Sequence, residues 1–453
     1  MLPLLFLPKI TIGITPKHPM RWTPHAPSSR TGKTFVILMS VSITLFAVLL
    51  VANFSTGEKK VDQDIPRLYS VADPQFERSM GVLLGPNIVP GNKVDTLLNG
   101  DEIFPAMLKA IREAKASINL ETYIYWSGGI GNEMADALAE RARAGVKVHV
   151  LVDWVGSAKM DASAIMMMKA AGVEFETYHP LRWYNLGRFN NRTHRKLLVV
   201  DGRIGFNGGV GIASLWTGHA QDPDHWRDTH FRFEGPVVAQ MQSVFMDNWI
   251  KTTGRVLHGP LYFPALAAAG SSPAQSFSSS PSGGTESMHL MYMMAFTAAQ
   301  KSIYIASAYF VPDQRTRDTL LDALKRGVKV KILMPGANTD ADTVRSSSRG
   351  MWGELLEAGA EMYEYQPTMY HCKVMIVDGL LTSVGSTNFD DRSMRLNDEA
   401  NVNIYDADFA RRQTAVFDDD LTRAHRITFN AWLNRPLKEK LVEQITSRLG
   451  AIL

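Results

Sequence analysis

The stretches HRKLLVVD, residues 194–201, and HCKVMIVD, residues 371–378, share the pattern His-x-Lys-x4-Asp, and a glycine follows each aspartate seven residues on, Gly208 and Gly385. Between the polar positions run short apolar segments bounded by Asp-Gly, which read as buried strands ending in turns. Side chains alternate across a strand, so His371 and Lys373 face one way while Cys372, Val374 and Ile376 face the core. The same alternation puts Arg195 in a core-facing slot, where an arginine needs a partner that the sequence does not name.

The repeat extends outward from these motifs. AIREAKASINLETYIY leads through a helical stretch into ERARAGVKVHVLVD, and TAAQKSIYIASAYF leads into TLLDALKRGVKVKILMP. Each passes from a strand to an amphipathic helix, then through Gly145 or Gly327 into a VKV strand, as βαβ units do. The two glycines stand 182 residues apart and the two histidines 177, so the order is kept with little change in length. The expected fold is α/β, two pseudo-symmetric halves forming one body. The expected divisions are an N-terminal segment (1–34), a transmembrane helix (35–54), a linker (55–95), a first half (96–264), a Ser/Gly/Pro-rich linker (265–287) and a second half with C-terminal helices (288–453). The second linker contains AAAGSSPAQSFSSSPSGGT, a composition expected to stay on the surface.

Two such strands meeting at one cleft would supply two imidazoles and two ammonium groups, which suits a phosphodiester monoanion. Phosphoryl transfer needs charge neutralised on the non-bridging oxygens, an in-line nucleophile and a proton for the leaving alcohol. Lys196 and Lys373 fit the first need, with the amide of Asn388 in GSTNFD. One histidine would attack and the other donate a proton, which requires no metal or cofactor. Each imidazole also needs an acid on its second nitrogen. Asp228, 34 residues after His194, and Glu399, 28 residues after His371, are the candidates.

These residues resemble the paired HKD motifs of the phospholipase D superfamily, and RSMRLNDEANVNIYD after the second motif is similar to the cardiolipin synthase branch. The resemblance runs from about residue 101 to about residue 425. It implies paired α/β halves, one shared site and a phosphohistidine intermediate, with His194 as nucleophile and His371 as general acid. The catalytic candidates are therefore His194, Lys196 and Asp201 with His371, Lys373 and Asp378, although an Asp before Gly at a strand end is also ordinary turn chemistry. One departure stands out. Where the second motif has Asn388, ten residues past its aspartate, the first has Gly211, and Asn207 is the nearest substitute.

The rest of the chain places this chemistry. Among 453 residues, hydrophobic content of 45% and a net charge of +3 describe a globular body and give no charge argument for nucleic acid. A single cysteine, Cys372, closes no intrachain disulfide. Residues 35–54, FVILMSVSITLFAVLLVANF, carry no charge and match a bilayer's thickness. This run exceeds a secretory h-region, and no clear A-x-A site follows. Lys9, Lys17, Arg21, Arg30 and Lys33 precede it without an acid. The expectation is a single-pass protein of the plasma or inner membrane, N-terminus cytoplasmic and body outside. Arg182, Arg188 and Arg192 in LRWYNLGRFNNRTHR could grip anionic head groups or single-stranded nucleic acid, or equally lie in a solvated loop, and Asp418, Asp419 and Asp420 read as a solvated helix face. A tethered site sees phospholipid at high effective concentration. The favoured reaction joins two phosphatidylglycerols into cardiolipin and glycerol. The alternatives are hydrolysis to phosphatidic acid, an endonuclease, or a non-catalytic scaffold; the oligomeric state stays open.

Overall fold

A computed structural model describes residues 30–54, 61, 63–180, 190–280 and 286–447. The helix Arg30–Phe54 belongs, through Val51, to a unit separate from the body. Its portion Gly32–Ala52, 21 residues with no side chain buried by protein, is the one helix among the described residues long and apolar enough to cross a membrane.

In the body, fifteen strands form one sheet, and its order displays the duplication. From one edge inward the first half runs Glu174–Tyr178, Lys147–Asp153, Ser117–Thr122, Lys196–Val200, Ile204–Gly208, Thr229–Glu234 and Val89–Leu98. The second half repeats that order with Glu361–Tyr365, Lys329–Pro335, Ser302–Ser307, Lys373–Val377, Leu381–Gly385, Glu399–Tyr405 and Ser272–Ser279, and adds the edge strand Ala424–Ile427. The first three strands of each half pair in parallel across helical crossovers, and the remainder pair antiparallel. Val89–Leu98 pairs antiparallel with Ser272–Ser279, joining the halves edge to edge.

That join corrects two of the expected linkers. Within the expected linker 265–287, Ser272–Ser279 does not stay on the surface: it is a central strand bonded on both sides, with Ala274 and Phe277 buried. Its serines fit because backbone pairing satisfies the chain and small side chains allow close approach, a gain that composition alone does not register. Residues 55–95 likewise contain the helix Pro74–Leu84, capped by the Asp73 carboxylate on the Gln75 N–H at 2.8 Å, and the start of the strand Val89–Leu98. Phe76, Met80 and Leu84 of that helix pack into the core of the second half.

Both motif strands end in the same turn. Asp201 and Gly202 have φ of 54° and 61°, and Asp378 and Gly379 have 54° and 64°, the two left-handed positions of a type I′ hairpin. Helices Val237–Thr253 and Ala407–Leu421 stand at corresponding places of the two halves and bury Phe245, Trp249, Phe409 and Phe417.

Candidate active site

The histidines sit just before the strands Lys196–Val200 and Lys373–Val377, where the chain is still extended and crosses toward the other half. Thr193 forms a parallel bridge with Asp398, and the His194 N–H donates to the Asp398 carbonyl at 2.9 Å. Tyr370 forms the matching bridge with Arg227, and the His371 N–H donates to the Arg227 carbonyl at 2.8 Å. Each histidine is thus fixed beside the residue preceding the other half's acid.

The consequence is a crossed pairing. His194 Nδ1 lies 2.8 Å from Glu399 Oε1, and His371 Nδ1 lies 2.7 Å from Asp228 Oδ2. Sequence spacing associates each acid with the histidine of its own half; the structure gives it the opposite one. Both carboxylates are held from behind. Glu399 Oε2 accepts from Ser386 Oγ at 2.5 Å, Asp228 Oδ2 from Trp216 Nε1 at 3.0 Å, and Asp228 Oδ1 from the Thr229 N–H at 2.8 Å. With Nδ1–H donating to a carboxylate, the Nε2 lone pair of each ring is turned away from that acid, and that of His371 lies 3.3 Å from Lys373 Nζ.

Lys196 Nζ donates to the His194 carbonyl at 2.9 Å and Lys373 Nζ to the His371 carbonyl at 2.7 Å. Four buried basic groups in one place alter one another's protonation. Burial brings His194 down to about 4 against the opposing pull of Glu399, and burial with the Lys373 charge holds His371 well below the usual imidazole range. Burial, then the charge of Lys373, brings Lys196 down to about 7, and Lys373 is lowered by burial too. Asp228 is pushed up to about 6 by burial. Every shift favours the neutral form, and burial is the first cause of each.

A cavity of about 450 Å³ contains His194, Lys196, His371 and Asn388 in its wall, together with Trp216, Trp226 and Tyr309. Asn388 Oδ1 is buried without a hydrogen-bond partner among the described residues. Asp201 and Asp378, counted among the catalytic candidates, are not in that wall. They stand at the far ends of their strands and accept backbone N–H bonds: Asp201 from Lys115, Ala116 and Ser117 at 2.9, 2.7 and 3.0 Å, and Asp378 from Gln300, Lys301 and Ser302 at 2.8, 2.7 and 2.9 Å. Their geometry is that of a clamp on the start of the neighbouring strand.

Asn207 does not replace the amide missing at Gly211: it is fully buried, its Nδ2 donates to the Ala400 carbonyl at 3.1 Å, and it lies outside the cavity. A Cβ on Gly211 would meet Ile124 Cβ and two Trp216 ring carbons at 3.0 Å. The absent amide therefore leaves room for the indole that holds Asp228. Trp216 was missed by motif reading, because its role depends on a ring position that spacing does not encode.

Arg195 finds its partners in Asp247 Oδ2 at 2.9 Å and the Val244 carbonyl at 2.7 Å. Asp420 is a correction: it is buried rather than solvated, and binds Arg227 through both oxygens at 2.9 Å. Arg182 and Arg188 lie outside the described residues, whereas Arg192 lines the cavity. Among the described residues no cluster of three or more metal-ligating side chains occurs.

Two imidazoles on opposed carboxylates, with Lys196 and Asn388 beside them in one cavity wall and Lys373 outside that wall but bonded to the His371 carbonyl, define a phospholipase D-like phosphodiester site. The sequence profile described as "Cardiolipin synthase, PLD-like domain" matches residues 107–221 and 292–421. Cardiolipin synthase 2 of Bacillus anthracis is 36% identical over 370 residues, covering 81% of this chain and 72% of that protein. The cardiolipin synthase of Geobacillus sp. is 38% identical over 360 residues, 79% and 72% of the respective chains. In fold, the chain is similar to the crystal structure of phosphatidylserine synthase from Haemophilus influenzae, with a TM-score of 0.64 at 14% identity, covering 84% of this chain and 98% of that one. The chain belongs to the cardiolipin synthase family of phospholipase D-like enzymes.

Proposed function

We propose that the protein transfers a phosphatidyl group from one phosphatidylglycerol to a hydroxyl of a second, giving cardiolipin and glycerol. The observation that carries this reading is the crossed pair of imidazole–carboxylate couples facing one cavity, within a chain of this family. His194 Nε2, neutral because burial holds its pKa near 4, attacks phosphorus while its Nδ1–H remains on Glu399. The bond to the leaving glycerol oxygen breaks, and that oxygen takes a proton from His371. Phosphatidyl-His194 and free glycerol result. In the second step His371 accepts the proton of the incoming hydroxyl, whose oxygen attacks phosphorus and releases His194.

Lys196, Lys373 and Asn388 hold the non-bridging oxygens. The entering monoanion supplies the negative charge that raises His371 from its depressed value, so the acid is charged when substrate is bound. The helix Arg30–Phe54 anchors the chain in the plasma or inner membrane, with the basic N-terminal segment cytoplasmic and the body outside.

Purified protein in phosphatidylglycerol vesicles with chelator present is expected to accumulate cardiolipin and release glycerol. Phosphatidic acid as the main product would overturn the proposed acceptor. Loss of product on chelation would overturn the metal-free route.

A further inference from the structure

The two segments that lead into the histidines differ in charge, and the cavity wall also carries Arg392, Asp340 and Asp390. Arg192 lies two residues before His194, and its repeat counterpart, two residues before His371, is Met369, buried among apolar side chains. Arg192 is only 7% exposed and lines the cavity. Its Nη1 is buried with no hydrogen-bond partner among the described residues. The nearest carboxylate oxygen, Asp153 Oδ1, stands 3.9 Å away and already accepts from the N–H groups of Val155 and Gly156; Asp153 Oδ2 accepts from that of Thr193. The guanidinium carbon lies 5.0 Å from the centre of the Trp154 ring, which fixes its plane. Arg392, across the same cavity, donates to the Asn190 carbonyl and side-chain oxygens at 3.0 and 2.9 Å and so braces the chain leading into Arg192.

A desolvated guanidinium nitrogen left without a hydrogen bond, with its carboxylate contact at 3.9 Å, is costly, and a planar donor fork matches the oxygens of a phosphodiester. The two-histidine centre already has its own lysines and amide, and the long contact to Asp153 leaves Arg192 Nη1 able to bind a different anion. Arg192, His194 and Lys196 follow one another along an extended segment, each step about 6.6 Å. A glycerol bridge with its two ester oxygens spans a comparable length between phosphates.

We propose that Arg192 binds the phosphodiester of the acceptor lipid, placing that lipid's terminal hydroxyl at the phosphohistidine. The assignment rests on the phosphatidyl-transfer reading above and makes Arg192 the residue that selects a phosphate-bearing acceptor over water or a simple alcohol.

The test is a competition for one intermediate. Phosphatidylglycerol vesicles containing a fixed concentration of ethanol are given to the full-length protein, and the ratio of cardiolipin to phosphatidylethanol is measured. Both products come from the same phosphatidyl-histidine, so the ratio is independent of how fast that intermediate forms. Arg192→Met, the residue at the repeat position, is expected to lower the ratio roughly ten- to a hundredfold, the worth of a charge-assisted pair. Arg192→Lys is expected to fall between it and the parent, and decides the matter if the methionine variant does not fold. An unchanged or increased ratio, whatever happens to the total rate, overturns the assignment. A parent protein that makes neither transfer product overturns the transfer reading itself, and is recognised before any variant is compared.

Discussion

The crossed pairing can be tested by asking which histidine each acid serves. Glu399→Gln keeps the shape of a fully buried side chain and removes the charge that accepts the His194 Nδ1–H at 2.8 Å. Asp228→Asn does the same at His371, at 2.7 Å. A buried charge-assisted hydrogen bond contributes about 2 kcal/mol, so each variant is expected to lose roughly thirtyfold in kcat. The size of the loss does not separate them; its kind does. A donor whose leaving group is an activated phenol no longer needs an acid to depart. With that donor the first half-reaction of His371→Ala should recover, whereas that of His194→Ala should stay dead because the nucleophile is gone. Crossing predicts that Asp228→Asn recovers with His371→Ala, although Asp228 belongs to the first half, and that Glu399→Gln stays impaired with His194→Ala. Burst kinetics with the activated donor read this directly. If Glu399→Gln recovers and Asp228→Asn does not, the pairing derived from the structure is wrong.

The same protonation pattern sets a pH dependence. His194 must be neutral and is depressed to about 4, while Lys196 must be charged and is depressed to about 7. The kcat/KM for phosphatidylglycerol should therefore rise with His194 at about pH 4 and already fall before pH 7, because His371, the acid, is held below the usual imidazole range in the free enzyme and Lys196 discharges at about 7; Glu399→Gln should move the His194 limb lower, because that carboxylate favours the imidazolium. A flat profile from pH 5 to 9 would refute this assignment. Asp201→Ala should lower stability by about 2 kcal/mol, through lost backbone bonds, with kcat of the folded fraction little changed; calorimetry and titrated-site kinetics check it. Asp420→Ala strands the Arg227 guanidinium and should cost about 3–5 kcal/mol, seen as a large fall in Tm. Gly211→Asn, which restores the repeat symmetry of the motif, should lower both Tm and activity, since the added Cβ crowds Trp216 and Ile124; an active, stable variant would show that the ring can move.

Much of this was legible in the residues alone. A motif that occurs twice at matched positions implies duplication, and strand alternation puts each His and Lys on one face, because both follow from chain order and backbone geometry. The Asp-Gly ends of the motif strands announced their hairpins for the same local reason. Reading failed where a residue's environment comes from distant chain. Serines at 272–279 suggested a solvated linker, yet their backbone completes the sheet between the halves. Asp420 suggested a wet helix face, yet Arg227 from the other half waits beneath it. Arg195 had no visible partner until Asp247, 52 residues away, reached it. Sequence determined which groups are the candidates for the chemistry and that there are two sets of them. Only the tertiary structure decided which acid serves which imidazole, because the parallel bridges Thr193 to Asp398 and Arg227 to Tyr370 exchange the partners across the halves, and no spacing within either half records that exchange.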